Sequence, residues 1–266
     1  MTTYRTPPTK LAIENAHPRD FFITFDEGPH IYTVHGDSTF TSVTTWNGSH
    51  FSHFNPDEVI DKMQWKIEND PTNKYYKMTR QEIKDMWAKK GREASGSGTN
   101  MHNDIESFYN DVSVNNDSIE YEYFKQFQRD FQHLKPYRTE WMIYYEELKL
   151  SGSIDMIFEN PDGTLQIYDW KRVNGFDYEG FNGKSAVTPC IKHLPDTNYW
   201  HYCLQLNTYK AIIEAKYGKK VTGLYLVRFH PDSYEKTYER VEVQDLQKEI
   251  GELFELRKQQ IQPKTI

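Results

Sequence analysis

Cysteine is almost missing from this chain of 266 residues: only Cys190 and Cys203 occur. A disulfide scaffold is thereby excluded. So are a four-cysteine iron–sulfur cluster and an all-cysteine structural zinc site, each of which needs four thiolates. No apolar segment of the export type opens the sequence, which begins MTTYRTPPTK. Together with the cysteine usage, this gives the expectation of an intracellular protein. Long apolar runs are missing too, so no segment is expected to span a bilayer. Positive charge is not in excess either. Lys and Arg number 32 against 39 Asp and Glu, a formal net charge of −7. A surface that binds nucleic acid all over is usually basic. Here a local basic groove or base stacking would have to serve, and metal-binding carboxylates would add negative charge for their own reason. Internal repeats and low-complexity tracts are absent.

The length suits one large α/β domain, or a core with a modest extra lobe, and such a chain can bury roughly 75% of its unfolded surface. Residues 1–20, with Pro7, Pro8 and Pro18, read as a polar arm. The aromatic and β-branched residues of 21–45 read as β structure, turned at Gly28-Pro29 and at His35-Gly36-Asp37. Asn55-Pro56-Asp57-Glu58 is a strong helix start, and Val59, Met63 and Ile67 follow at four-residue spacing. Thr79 with Glu82 forms the capping box of a second helix. Ser95-Gly96-Ser97-Gly98-Thr99 then breaks the chain and starts a third helix, and a fourth covers about 118–134. Residues 139–173 switch to strands, with a hairpin turn at Asn160-Pro161-Asp162-Gly163. A loop-like stretch over 174–197, a helix over about 198–217 ending at Gly218, a strand at VTGLYLVRF and a helix over 244–261 complete the chain. The expected architecture is α/β: a central mixed sheet flanked by helices.

Asp155, Asp169 and Lys171 carry the chemistry. Residues two apart in a strand share a face, so Asp169 and Lys171 lie on the face of Leu165 and Ile167. If the turn closes over 161–163, Asn160 opposes Thr164 and Asp155 opposes Asp169. Like charges facing each other across strands are unfavourable, so something must compensate. Lys171 does part of this, and a divalent cation held by carboxylate oxygens would do the rest. Such a cation polarises a phosphate and lowers the pKa of its water, while a lysine can stabilise developing charge. An ion pair at a hairpin end would give the same spacing. His102 and Glu106 lie four apart on one helix face, bordering Met101, Ile105 and Phe108, so both could point into a cleft. Gln205 and Tyr209 are likewise four apart on the long helix.

These blocks, read in order, are Gly98-Thr99-Asn100-Met101-His102 with Glu106, then Glu140, then Gly152-Ser153-Ile154-Asp155, then Asp169-Trp170-Lys171, then Gln205 through Tyr209. In that order they resemble the PD-(D/E)XK nuclease superfamily, and specifically its RecB-like exonuclease branch, over about 96–215. That branch includes the mitochondrial genome maintenance exonuclease and viral and phage relatives. The resemblance implies a PD-(D/E)XK, restriction-endonuclease-like core over 96–266. Residues 1–95 would form an N-terminal β-hairpin and helical extension that caps it. It implies that His102, Asp155, Asp169 and the backbone carbonyl of Trp170 bind Mg2+ or Mn2+. Asp155, Asp169 and Lys171 would be catalytic. Gln205 and Tyr209 would contact DNA and brace the site, with Glu106 and Glu140 supporting. Some members carry four cysteines for an iron–sulfur cluster; this chain would belong with those lacking one.

The function this implies is a metal-dependent DNA exonuclease acting on single strands or free ends. A structure-specific endonuclease on the same core, a non-catalytic nucleic-acid-binding relative and an unrelated magnesium–carboxylate enzyme are the alternatives. Lys89, Lys90 and Arg92 are further phosphate contacts to consider. Trp46, Phe51, Phe54, Trp65, Tyr75, Tyr76, Phe176, Tyr178 and Phe181 could stack on bases or pack a core.

Overall fold

The computed structural model of the chain describes residues 8–261. At its centre lies a six-stranded mixed sheet built from β3 (Thr41–Ser42), β4 (Lys135–Tyr145), β5 (Leu150–Glu159), β6 (Leu165–Lys171), β7 (Val221–Arg228) and β8 (Glu239–Glu242). The order is β3-β5-β6-β7-β8, with β4 also paired to β5. Antiparallel pairs join β4 to β5, β5 to β6 and β7 to β8; β6 runs parallel to β7, as does β3 to β5. A separate antiparallel hairpin pairs β1 (Ile23–Asp26) with β2 (Ile31–Val34).

The sheet is an amphipathic surface on both sides, and each side recruits helices. Tyr168 and Trp170 of β6, with Met156, Phe158, Val227 and Phe229, pack against α4 (Arg80–Tyr109) and α5 (Ile119–Asp130) through Met101, Ile105, Phe124 and Phe127. Ile157, Leu165, Ile167 and Leu226 face the other way. They meet α2 (Val43–Gly48), α6 (Asn198–Lys216) and α7 (Gln247–Ile261) through Val43, Leu206, Ile213 and Leu253. Fully burying such side chains contributes about 1.5–3 kcal/mol each before entropy is counted. A small outer lobe is formed by α3 (Pro56–Asn69) with the first turns of α4, around Ile60, Ile67, Tyr75 and Ile83.

The turn after β5 closes as its residues require. Gly163 takes φ +79°, a conformation glycine adopts at no steric cost, and Asn160 N–H donates to the Thr164 carbonyl at 2.8 Å. The ladder runs from Glu159–Leu165 to Met156–Tyr168, so Asp155 and Asp169 occupy the next rung. The capping box at Thr79 and Glu82, the Asn55 cap and Gly218 at the end of α6 also stand where the local residues place them.

Four expectations are corrected. Residues 8–22 are no polar arm, while 1–7 lie outside the described residues. They form α1 (Lys10–Glu14) and a short 3-10 turn laid along β4, where Asp20 accepts hydrogen bonds from Arg138 (2.7 Å) and Trp141 (2.9 Å). The Gly-Ser stretch at 95–99 is no break: α4 continues through it for 30 residues. Glycine in a helix costs only about 1 kcal/mol relative to alanine. Here Ile83 anchors one end in the lobe and Met101 and Ile105 anchor the other in the core. A division of the chain at residue 95 therefore falls inside a helix, not in a linker. Residues 43–48 are helical, because Ser42 caps the Thr45 N–H, and the short edge strand β8 follows β7. Val59 does not lead its helix face; the buried positions are Ile60 and Ile67.

Candidate metal centre

The site sits where β5 and β6 part. On this edge β6 pairs residues 156–159 of β5 and β3 pairs residues 150–151, which leaves 152–155 without a ladder partner there. Side chains take over the missing bonds. Trp170 N–H donates to Asp155 Oδ2 at 2.9 Å, and the Trp170 carbonyl oxygen lies 2.9 Å from His102 Nε2. A carbonyl can only accept, so Nε2 carries the proton and Nδ1 faces the carboxylates. Nδ1 is 3.5 Å from Asp155 Oδ2 and 3.9 Å from Glu140 Oε1.

Glu140 reaches this point by an unusual backbone. The β4–β5 ladder pairs Thr139 with Met156 and Trp141 with Ile154, so Glu140 lies between them, on the rung of Asp155. It has φ +41°, a region that non-glycine residues seldom adopt and that costs about 1–3 kcal/mol. Its carboxylate accepts a hydrogen bond from Ser153 Oγ at 2.8 Å. Glu140, Asp155 and Asp169 thus form a row of three carboxylates across β4, β5 and β6.

Lys171 and Asp169 are locked together, Nζ to Oδ2 at 2.5 Å, with Asp169 only 2% exposed. The Lys171 ammonium also lies 4.6 Å above the Tyr202 ring. From α6, Gln205 Nε2 donates to Asp169 Oδ1 at 3.2 Å and lies 3.4 Å from the Tyr209 hydroxyl. Gln205 and Tyr209 therefore brace the site, as their four-residue spacing allows. Glu106 stands one turn beyond His102, is half-buried, and hydrogen-bonds Thr139.

The electrostatics match a site built for a cation. Burial pushes the Asp169 carboxyl up to about 6 despite the lysine beside it. Burial also raises Asp155 and Glu106. Burial pulls His102 down, but Asp155 and Glu140 outweigh it and hold the imidazole up at about 9. Lys171 is likewise held above its usual range, where burial is overcome by Asp169 and Asp155. Among the described residues, His102, Glu140 and Asp155 offer ligand atoms that all lie within 4.8 Å of one another. One imidazole with two carboxylates suits a hard or borderline divalent cation.

The sequence reading assigned Asp169 and the Trp170 carbonyl as ligands and gave Glu140 a supporting place. The structure places Glu140 beside His102 and Asp155 in a cluster that could hold a cation, pairs Asp169 with Lys171, and engages the carbonyl with His102. Tyr202 and Gly152 belong to the site too. Tyr202 could have been found from its position three residues before Gln205 on α6. A Cβ on Gly152 would stand 2.8 Å from the Tyr209 ring. Gly152→Ala is therefore expected to cost about 1–3 kcal/mol, the usual range for overpacking. It should also loosen the Gln205–Asp169 bond. Thermal melting checks the first effect; an unchanged melting temperature would show that Tyr209 moves freely.

Most of the aromatics singled out for stacking are packing residues. Trp46, Phe51, Tyr75 and Phe176 are buried and Tyr76 half-buried, whereas Phe54, Trp65, Tyr178 and Phe181 are exposed. Lys89, Lys90 and Arg92 are exposed on the middle of α4. No helix among the described residues is long and apolar enough to cross a membrane. A family model described as the PD-(D/E)XK nuclease superfamily matches residues 69–265, well over half of the chain. No curated protein matches the chain.

Proposed function

Because this chain belongs to the PD-(D/E)XK nuclease superfamily, whose members are metal-dependent nucleases, we propose that it is a DNA exonuclease of the RecB-like branch, acting on single strands or free ends. The observation that carries the reading is the row Glu140–Asp155–Asp169 with His102 at one end and Lys171 at the other. We assign His102, Asp155, Asp169 and the Trp170 carbonyl as ligands of Mg2+ or Mn2+, and add Glu140. When bound, that cation supplies charge neutralisation at the phosphate and a water of lowered pKa.

The protein's own groups do the rest. Lys171 stays protonated and donates hydrogen bonds where negative charge develops at the reacting phosphate. Asp169 and the Tyr202 ring fix its direction, and Gln205 fixes Asp169. His102 positions the edge of β6 through the Trp170 carbonyl. Two features favour a single strand entering from an end. The cavity over the carboxylates measures only about 180 Å³ and is walled by the β1–β2 hairpin and the start of α2. The exposed aromatics Phe54, Trp65, Tyr178 and Phe181 suit base stacking, which is worth about 1–3 kcal/mol per base and tolerates any sequence.

The test compares end-labelled linear and circular single-stranded DNA of equal length, with Mg2+, Mn2+ or EDTA. Linear DNA should be degraded with either metal, and the circle and the EDTA samples should stay intact. Efficient cutting of the circle would replace the exonuclease with an endonuclease. Binding without cleavage under every condition would favour a non-catalytic relative.

A further inference from the structure

The outer wall of the cavity comes from a part of the chain upstream of the matched segment 69–265. His30 and Tyr32 of the β1–β2 hairpin line the same space as His102, Glu140 and Asp155. Tyr32 is only 5% exposed, and its ring packs with Ile23, Val34 and Tyr144 and tilts against Phe25 at 4.4 Å. Packing therefore explains the ring. The hydroxyl end is left to the cavity, which Tyr32 lines. The phenol is held as a proton donor: burial first, then Glu140 and Asp155, raise its pKa. Glu140 and Asp155 act on it through their charge alone.

His30 adds a second observation. It takes φ +57° at the end of the hairpin turn, a strained region for a residue with a side chain. Its ring meets Phe25 edge-on at 5.0 Å, and it too borders the cavity. A donor that lines the same small cavity as the carboxylates leaves room for an acceptor between them. A phosphodiester oxygen seated over those carboxylates would fill that place.

We propose that Tyr32 and His30 form a phosphate-binding wall, donating to the non-bridging oxygens of the strand held over Asp155 and Glu140. The inference rests on the nuclease reading above. It makes the hairpin part of the substrate site, with both side chains acting as positioning residues.

The test uses the full chain with Tyr32→Phe and His30→Asn. Phenylalanine keeps the packed ring, and asparagine tolerates the left-handed backbone. Binding of a fluorescein-labelled single-stranded oligonucleotide is followed by anisotropy in EDTA and in Ca2+. Then kcat and KM are measured with Mn2+, and melting temperatures are recorded alongside. Tyr32→Phe should weaken binding and kcat/KM about tenfold without shifting the melting temperature, the size expected for losing a hydrogen bond to a charged group. His30→Asn should weaken both about three- to tenfold. If the wild type cleaves and both variants bind and cleave within twofold of it, the wall is refuted and the nuclease reading stands. A fall in melting temperature with unchanged binding also refutes it. If the wild type neither binds nor cleaves, both readings fall together.

Discussion

Lys171→Ala should slow cleavage about 100- to 1000-fold, the usual loss for one group that stabilises transition-state charge. DNA binding should change by no more than a few fold. Two losses combine in this variant. The ammonium that meets developing charge is gone. Asp169, 2% exposed and already pushed up to about 6, also loses its only ion-pair partner among the described residues. A carboxylate left alone in that place takes up a proton near neutral pH and would lose its proposed place as a ligand. Lys171→Arg should not rescue the rate, because the planar guanidinium cannot occupy the compact position between Asp169 and the Tyr202 ring. Asp155→Asn should lose a similar factor, since it keeps an oxygen for the Trp170 N–H but removes the charge at the centre of the row. Single-turnover rates on a 5′-labelled strand with Mn2+ decide the matter. Either variant retaining more than roughly a tenth of wild-type activity would sink the assignment of that residue.

Cation affinity should rise about tenfold per pH unit between pH 6.5 and pH 9, because a metal held by His102 as proposed must displace its proton. His102 has a folded pKa of about 9 against an ordinary 6.5. A raised pKa means that the charged imidazole stabilises the metal-free fold below pH 6.5, and that this stability is lost as the pH climbs through 9. A ligand must be neutral imidazole, so binding in that window releases one proton. Asp169 adds to the effect lower down. Its folded pKa of about 6 exceeds the ordinary 3.8, so stability present below pH 3.8 is lost as the pH rises through 6. Cation binding removes that strain, and the gain in melting temperature with Mn2+ should be larger at pH 8 than at pH 5. Calorimetric titration in two buffers of different ionisation enthalpy counts the protons. His102→Ala should abolish the release, and it should weaken Mn2+ more than Mg2+, which prefers oxygen. An affinity that stays flat from pH 6.5 to 9 would take His102 out of the coordination shell.

The rung shared by Asp155 and Asp169 was legible in the sequence because Asn160-Pro161-Asp162-Gly163 permits one tight turn, and a turn sets the register of its hairpin. Gln205 and Tyr209 were legible for a similar local reason, since residues four apart on a helix share a face. Glu140 was not. Its place in the row depends on a left-handed residue inside β4 and on a ladder to a strand that follows it, and neither leaves a local pattern. Tyr32 was hidden in the same way: its proposed role depends on where the hairpin lands, over 100 residues away from Glu140 in sequence. Residues 95–98 misled the reading in the opposite sense. Glycine and serine are poor helix formers, but anchors at both ends of α4 outweigh a local preference of about 1 kcal/mol per glycine.

That continuous helix has a mechanical consequence. From Arg80 to His102 it spans roughly 33 Å at 1.5 Å per residue, and it ties the outer lobe rigidly to the imidazole of the metal centre. Residues 88–97 between the two anchors are exposed on every side, and a Cβ at Gly91, Gly96 or Gly98 would meet nothing within 4 Å. Beyond its backbone ladder, an exposed Lys89–Glu93 ion pair at 4.0 Å is the ion pair found in this stretch among the described residues. As a strut with a weak point in its middle, it would be expected to pass small loads on the lobe along the axis to His102. Larger ones would be expected to bend the rod at its glycines before pulling the imidazole from the Trp170 carbonyl.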